Sequence, residues 1–241
     1  MPGGAASLAL AAGTAAAAAA VGTALSLSPV VQGGRIAAPW HVVTLPQQVK
    51  PVTQYSAEAV DGRDAVRIQV QGSYGNLVHE LPAVQAPTQL HWAWRMQQPN
   101  RAVDLQSKTG DDAAVKVCMS FDLPLDRVPF MERQVLKLAR SRTGQDLPAA
   151  TLCWVWGAGE AKGALLPNAY SRRVRYIVLR NREDALSMWF EEGRDVAADF
   201  RRAFGDETSE LPPVTALIVA GDGDNTGGTS VAHVSGLRTD P

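Results

Sequence analysis

The chain reads as all-β, a β-sandwich of jelly-roll type carrying two short helices. Three features predict that class: about eleven short apolar stretches, alternation of apolar with polar residues inside most of them, and Gly, Pro, Asn or Asp at the junctions. Alternating βαβ units would put a long amphipathic stretch between successive strands, and the chain does not show that rhythm.

In chain order, residues 1–34 come first and contain no charged side chain. They read as an Ala-rich leader, with Gly22-Thr23-Ala24 supplying the small residues a signal peptidase needs, although no Lys or Arg follows Met1. Cleavage after export is the leading expectation, and an uncleaved membrane anchor is the alternative, since about 20 apolar residues span a bilayer. A single sandwich domain is then expected over 38–238. Its strands are expected at 40–45, 55–59, 65–71, 77–81, 89–96, 113–122, 150–157, 173–180, 186–191, 214–221 and 229–237. Val66, Ile68 and Val70 set against Arg67 and Gln69 illustrate the alternation. A first helix is expected over 126–141, where Phe130, Met131, Val135 and Leu138 recur at helical spacing. A second is expected over 194–204, where Val196, Phe200 and Phe204 recur every fourth residue and Gly205 follows as a stop. Both are expected to pack across an edge or end of the sheets.

Of the 241 residues, 46 % are hydrophobic, and the formal net charge is −1 from 23 basic and 24 acidic residues. Such a balance offers no electrostatic footprint for nucleic acid, and no membrane contact is expected once the leader is removed. The two cysteines, Cys118 and Cys153, lie in apolar runs, and both a single disulfide and two buried thiols fit them. Without a C-x-x-C, a zinc site or redox dithiol has no support. The chain also lacks G-x-S-x-G, H-E-x-x-H and S-x-x-K, and its histidines at 41, 79, 91 and 233 have no ligand-like spacing.

The candidate site residues are acidic or aromatic. "GDGDNTGG", residues 221–228, places Asp222, Asp224, Asn225 and Thr226 on one loop in the order of the first positions of a calcium loop. His233 stands where an EF-hand needs its bidentate Glu, and strands replace the flanking helices, so an EF-hand is excluded. A calcium-like ion on Asp222, Asp224 and Asn225, completed by Asp111 and Asp112, remains the metal expectation, beside a simple turn. The pairs Trp92/Trp94 and Trp154/Trp156 each put two rings on one strand face, either as a platform for sugar rings or as inter-sheet core. Trp154 and Trp156, with Glu191 and Arg194 beyond them, are the expected ligand-binding residues. Salt bridging of Arg194 to Glu191 or Asp199 is the plainer alternative.

Several segments together resemble the bacterial domain of unknown function family 3047. They are "LHWAWRM", "GDDAAVKVCMSFD", "LCWVWG", "VRYIVLR", "RDVAADFRRAFG" and "VAGDGDNTGG", in that order across residues 38–238. Cys153 stands where the pattern leads one to expect Tyr, and Gly193 interrupts the approach to Arg194. The resemblance implies an exported bacterial protein with a β-rich fold and implies no activity. The leading functional expectation is a periplasmic, non-catalytic binding domain for carbohydrate or envelope glycan. The alternatives are a glycan-active hydrolase or lyase using Asp111, Asp112, Glu191, Asp222 and Asp224, and a structural or partner-binding envelope protein.

Overall fold

The computed structural model describes Leu25 and residues 27–240. In chain order the elements are β1 (Val31–Gln32), β2 (Arg35–Ile36), β3 (His41–Val43), β4 (Gln54–Val60), β5 (Arg63–Gln71), β6 (Asn76–Val84), β7 (Gln89–Gln98), β8 (Lys116–Phe121) and α1 (Phe130–Thr143). Then come β9 (Ala150–Trp156), β10 (Leu165–Pro167), β11 (Val174–Arg180), β12 (Phe190–Asp195), α2 (Val196–Phe204), β13 (Val214–Ala220) and β14 (Thr229–Thr239). They build a seven-stranded sheet ordered β10-β11-β9-β8-β13-β6-β3 and a five-stranded sheet ordered β12-β7-β14-β5-β4, with β1 and β2 as a separate hairpin. From β5 through β8, and again from β11 through β14, successive strands change sheet. This alternation makes the fold a β-sandwich of jelly-roll type.

The inward faces follow the alternation. Val66, Ile68 and Val70 of β5 are buried, as are Leu217 and Val219 of β13. At the centre the two tryptophan pairs meet across the sheets, Trp92 on Trp154 with ring centroids 5.5 Å apart and Trp94 on Trp156 at 5.9 Å. Their indole N–H groups are carried to acceptors at the margin: Trp154 to Asp199 Oδ2 (2.7 Å), Trp156 to the Asn181 carbonyl (3.1 Å) and Trp94 to Glu192 Oε1 (2.9 Å). Four large rings thus leave water with most of their polar atoms paired, which is how a Trp-rich core stays favourable.

Strands β8 and β9 are buried on both faces. Their outer face carries a second apolar cluster, in which Val103 and Leu105 of the 99–112 loop cover Cys118, Cys153, Val155, Tyr176 and Val178. Cys118 and Cys153 stand directly opposite each other in this pairing and form a disulfide. Of the two readings of the cysteines, the bridge is the one realised.

The helices part company. Helix α2 starts on Asp195, whose side chain accepts the Ala198 N–H (2.8 Å), and buries Val196, Phe200 and Phe204 against the core, with Phe200 on Phe121 at 4.6 Å. Helix α1 buries only Leu136. Phe130, Met131, Val135 and Leu138, expected to face the sheets, are 50–71 % exposed. The spacing correctly announced a helix but not the side it presents. The strand expected over 186–191 also forms later, as β12, because its pairing with β7 begins at Phe190 opposite Trp94. The packed chain begins before residue 38: Leu25 and Val30 are buried in the main core and Thr239 Oγ1 donates to the Leu25 carbonyl. The leader expected over 1–34 therefore overlaps the fold at its end, and its residues 1–24 and 26 lie outside the described residues. Among the described residues no helix is long and apolar enough to cross a membrane.

Candidate functional site

The loop 221–228 leaves the end of β13 and meets the segment that opens β8. Backbone and side chain lock the two together, for Asp222 N–H donates to the Ala113 carbonyl (2.8 Å) while Ala113 N–H donates to Asp222 Oδ1 (2.6 Å). The glycines follow from this closeness. A Cβ on Gly221 would lie 2.6 Å from the Ala114 carbonyl oxygen, and one on Gly223 would lie 2.6 Å from Val70 Cγ1 and 2.8 Å from the Gly228 oxygen. The alternation of Gly with Asp is thus a packing requirement as much as a chemical one.

All four acidic residues singled out in the two loops come to this corner, each in a different role. Asp222 Oδ2 takes Lys116 Nζ at 2.5 Å, both side chains nearly buried. Burial presses the ammonium pKa down, but the adjacent Asp222 carboxylate more than offsets that and Lys116 stays charged, its pKa raised well above the ordinary value. Asp112 splays its oxygens over the loop: Oδ2 accepts from Thr226 Oγ1 (2.6 Å) and Thr226 N–H (2.8 Å), and Oδ1 from Asn225 Nδ2 (3.1 Å). Asn100 Nδ2 in turn donates to Thr226 Oγ1 (2.8 Å).

Asp111 is different. Its Oδ2 accepts from Asn168 Nδ2, which also approaches the Tyr176 hydroxyl (2.8 Å), while its Oδ1 is buried with no partner. Desolvation dominates, and despite nearby Lys116 the carboxyl is pushed up to about 6. Asp224, half-buried, is also raised, first by burial and then by the charges of Asp222 and Asp112. Its carboxylate accepts no hydrogen bond from another residue's side chain among the described residues. Above them stands Tyr170, 58 % exposed, its hydroxyl 2.6 Å from Asn225 Oδ1 and 2.8 Å from the Lys108 carbonyl.

The residues of the calcium expectation, Asp111, Asp112, Asp222, Asp224 and Asn225, are thus gathered at one corner. The carboxylate oxygens of Asp112 and Asp222 accept from amide, hydroxyl and ammonium donors of the protein itself. Among the described residues no group of three or more His, Cys, Asp or Glu side chains is placed to hold a metal.

The ligand-binding expectation is corrected. Trp154 and Trp156, at 0 % and 3 % exposure, are inter-sheet core and offer no face to a sugar ring. Glu191 and Arg194 lie on β12, at the edge of the other sheet, away from the acidic corner. Glu191 pairs with Arg63 (2.5 Å), and Arg194 grips Asp199 through two bonds of 2.7 and 2.8 Å. The plainer reading of Arg194 is the one realised. Lys116, Asn168, Tyr170 and Tyr176 were not singled out from sequence. Lys116 alone had a visible signal, as a lone cation inside the apolar run "AAVKVCMSF".

Fold and corner together define a class: a jelly-roll sandwich with a closed core and a buried, incompletely paired acidic cluster on the outer face of its larger sheet. The chain belongs to the DUF3047 family, proteins of unknown function, whose family model matches residues 38–238. No curated protein matches it. Among solved structures it is similar to a meso-active, thermo-stable cellulase derived from the Cel12A cellulase of Rhodothermus marinus, at 11 % identity, 83 % coverage of this chain, 95 % coverage of that one and a TM-score of 0.38. At that score the likeness carries no argument about function.

Proposed function

We propose that the domain is a non-catalytic binding module for carbohydrate or envelope glycan, with the acidic corner as its contact surface. The observation that carries this reading is the rim: the exposed Tyr170 ring, fixed through its hydroxyl to Asn225, shares one loop corner with the Asp224 carboxylate, which accepts no side-chain hydrogen bond among the described residues. A fixed aromatic ring packs on the C–H face of a sugar, and a carboxylate with free lone pairs accepts from its hydroxyls. Calorimetry against a panel of envelope glycans tests it. One glycan class is expected to bind, with affinity falling roughly tenfold, about 1.4 kcal/mol, in Tyr170→Ala or Asp224→Ala at unchanged melting temperature. No heat with any glycan, or unaltered binding in both variants, contradicts it.

Asp111 favours a second reading, a glycan-active enzyme. A carboxyl titrating at about 6 keeps the proton that a general acid delivers to a leaving oxygen. A glycan-hydrolysis screen decides between the two: turnover that disappears in Asp111→Asn supports the enzyme, and a wild type that binds without turnover rejects it.

We also place the domain outside the cytoplasm, in the periplasm or secreted. The charge-free leader and the Cys118–Cys153 disulfide support this, since disulfides persist in oxidising compartments. Cleavage after Ala24 would make Leu25, which is already packed in the core, the first residue. Mass spectrometry of the exported protein checks that terminus.

A further inference from the structure

Beside the 221–228 loop, which Asn100 touches through Thr226, the sandwich opens between the sheets into a pocket of about 340 Å³. That volume lies at the low end of the roughly 300–1,000 Å³ spanned by small-molecule sites. Met96 from the end of β7 and Trp156 from the end of β9, both nearly buried, form its floor, Pro99 and Val103 from the covering loop give it an apolar wall, and the half-exposed Leu186 overhangs the mouth.

The polar groups along the lining are largely committed to the protein itself. Asn100 gives its amide N–H to Thr226 and its Oδ1 accepts from Ala102 N–H. Asn181 donates to the Glu160 carbonyl and accepts from Glu183 N–H. Two exposed cations remain, Arg101 and Arg182. Neither has a carboxylate within salt-bridge distance among the described residues, and Arg182 spends only its Nε, on the Ala158 carbonyl (3.0 Å). Apolar walls with spare guanidinium donors at the mouth complement one kind of molecule. Sugars, whose hydroxyls need many free polar partners, fit this lining poorly.

We infer that this pocket binds a small amphipathic monoanion, an aliphatic or aromatic carboxylate whose hydrocarbon body lies along Pro99, Val103 and Leu186 above the Trp156 floor and whose carboxylate meets Arg101 and Arg182. Planar guanidinium groups suit the geometry of a carboxylate and lose little hydration on pairing with it. The site is independent of the glycan reading.

Octanoate, with octan-1-ol as the neutral counterpart, is the probe, and full-length processed protein is titrated by calorimetry and by ¹H–¹⁵N spectroscopy. Octanoate is expected to bind and to shift the Trp156 indole N–H resonance, which donates to Asn181 at the pocket wall. Octan-1-ol is expected to bind at least tenfold more weakly. The double variant Arg101→Gln/Arg182→Gln, both positions being exposed, should melt like wild type and lose the octanoate preference. Absence of octanoate binding, equal binding of the alcohol, an unmoved Trp156 signal, or full affinity in the folded double variant each overturns the inference. Should the double variant fail to fold, Arg101→Gln alone serves, with the same criterion.

Discussion

Asp199 and Asp111 are both almost wholly buried aspartates, and they sit in regions built on opposite terms. At the α2 edge Asp199 receives a two-pronged Arg194 and the Trp154 indole N–H, so charge and lone pairs are both answered. At the acidic corner Asp111 receives one amide, keeps an unpartnered oxygen and is pushed up to about 6. The first arrangement fastens a helix to a core. The second holds a polar group at a cost that packing alone does not require, which is the pattern of a site.

Substitutions should separate the two regions, and Lys116 gives the largest effect. Lys116→Met strands the Asp222 carboxylate in the corner, and denaturant unfolding is expected to show a loss of about 3–5 kcal/mol. A loss under about 1 kcal/mol would mean that the corner is wetter than its burial suggests.

Next is Asp111→Asn, whose effect should change with pH. A carboxyl raised from 3.8 to about 6 binds its proton more tightly in the folded state, so wild-type stability is fullest below 3.8 and falls as pH rises through about 6. The amide does not titrate. The variant should therefore match wild type near pH 4 and exceed it at pH 7 by up to about 3 kcal/mol, less whatever solvent at the rim screens. Melting curves across that window measure the difference.

Asp199→Asn should have the opposite sign at pH 7, a loss of about 1–3 kcal/mol, because Arg194 and Trp154 lose a charged acceptor. If both aspartates respond alike, the contrast fails. The smallest effect belongs to the outward stripe of α1, where Val135→Ser is expected to stay within about 0.5 kcal/mol of wild type. A larger loss would mean that the stripe is covered.

Much of the fold was legible because it is local. Val66, Ile68 and Val70 mark a strand with one buried face, and the turns carry their own Gly and Asp. The Trp pairs were equally readable as core or platform, since i, i+2 spacing says that two rings share a face without saying what the face meets. Helix α1 shows the same limit: Met131, Val135 and Leu138 recur at helical spacing, but Leu136, off that stripe, is the residue the fold buries. The site was half legible. Asp111, Asp112, Asp222 and Asp224 could be named from composition and turn chemistry. Their ligand-like order suggested calcium, and nothing local reveals that Lys116, reached from β8, pairs with Asp222. Asn168 reaches Asp111 across 57 residues of chain, a contact that only the closed sheet creates.

The most direct test is the titration of Asp111 itself, followed by the ¹³C resonance of its carboxyl in the folded protein. A midpoint near 6 is predicted. A midpoint at the ordinary 3.8 would show a solvated or fully paired carboxylate and would remove the acidic corner's claim to be a site.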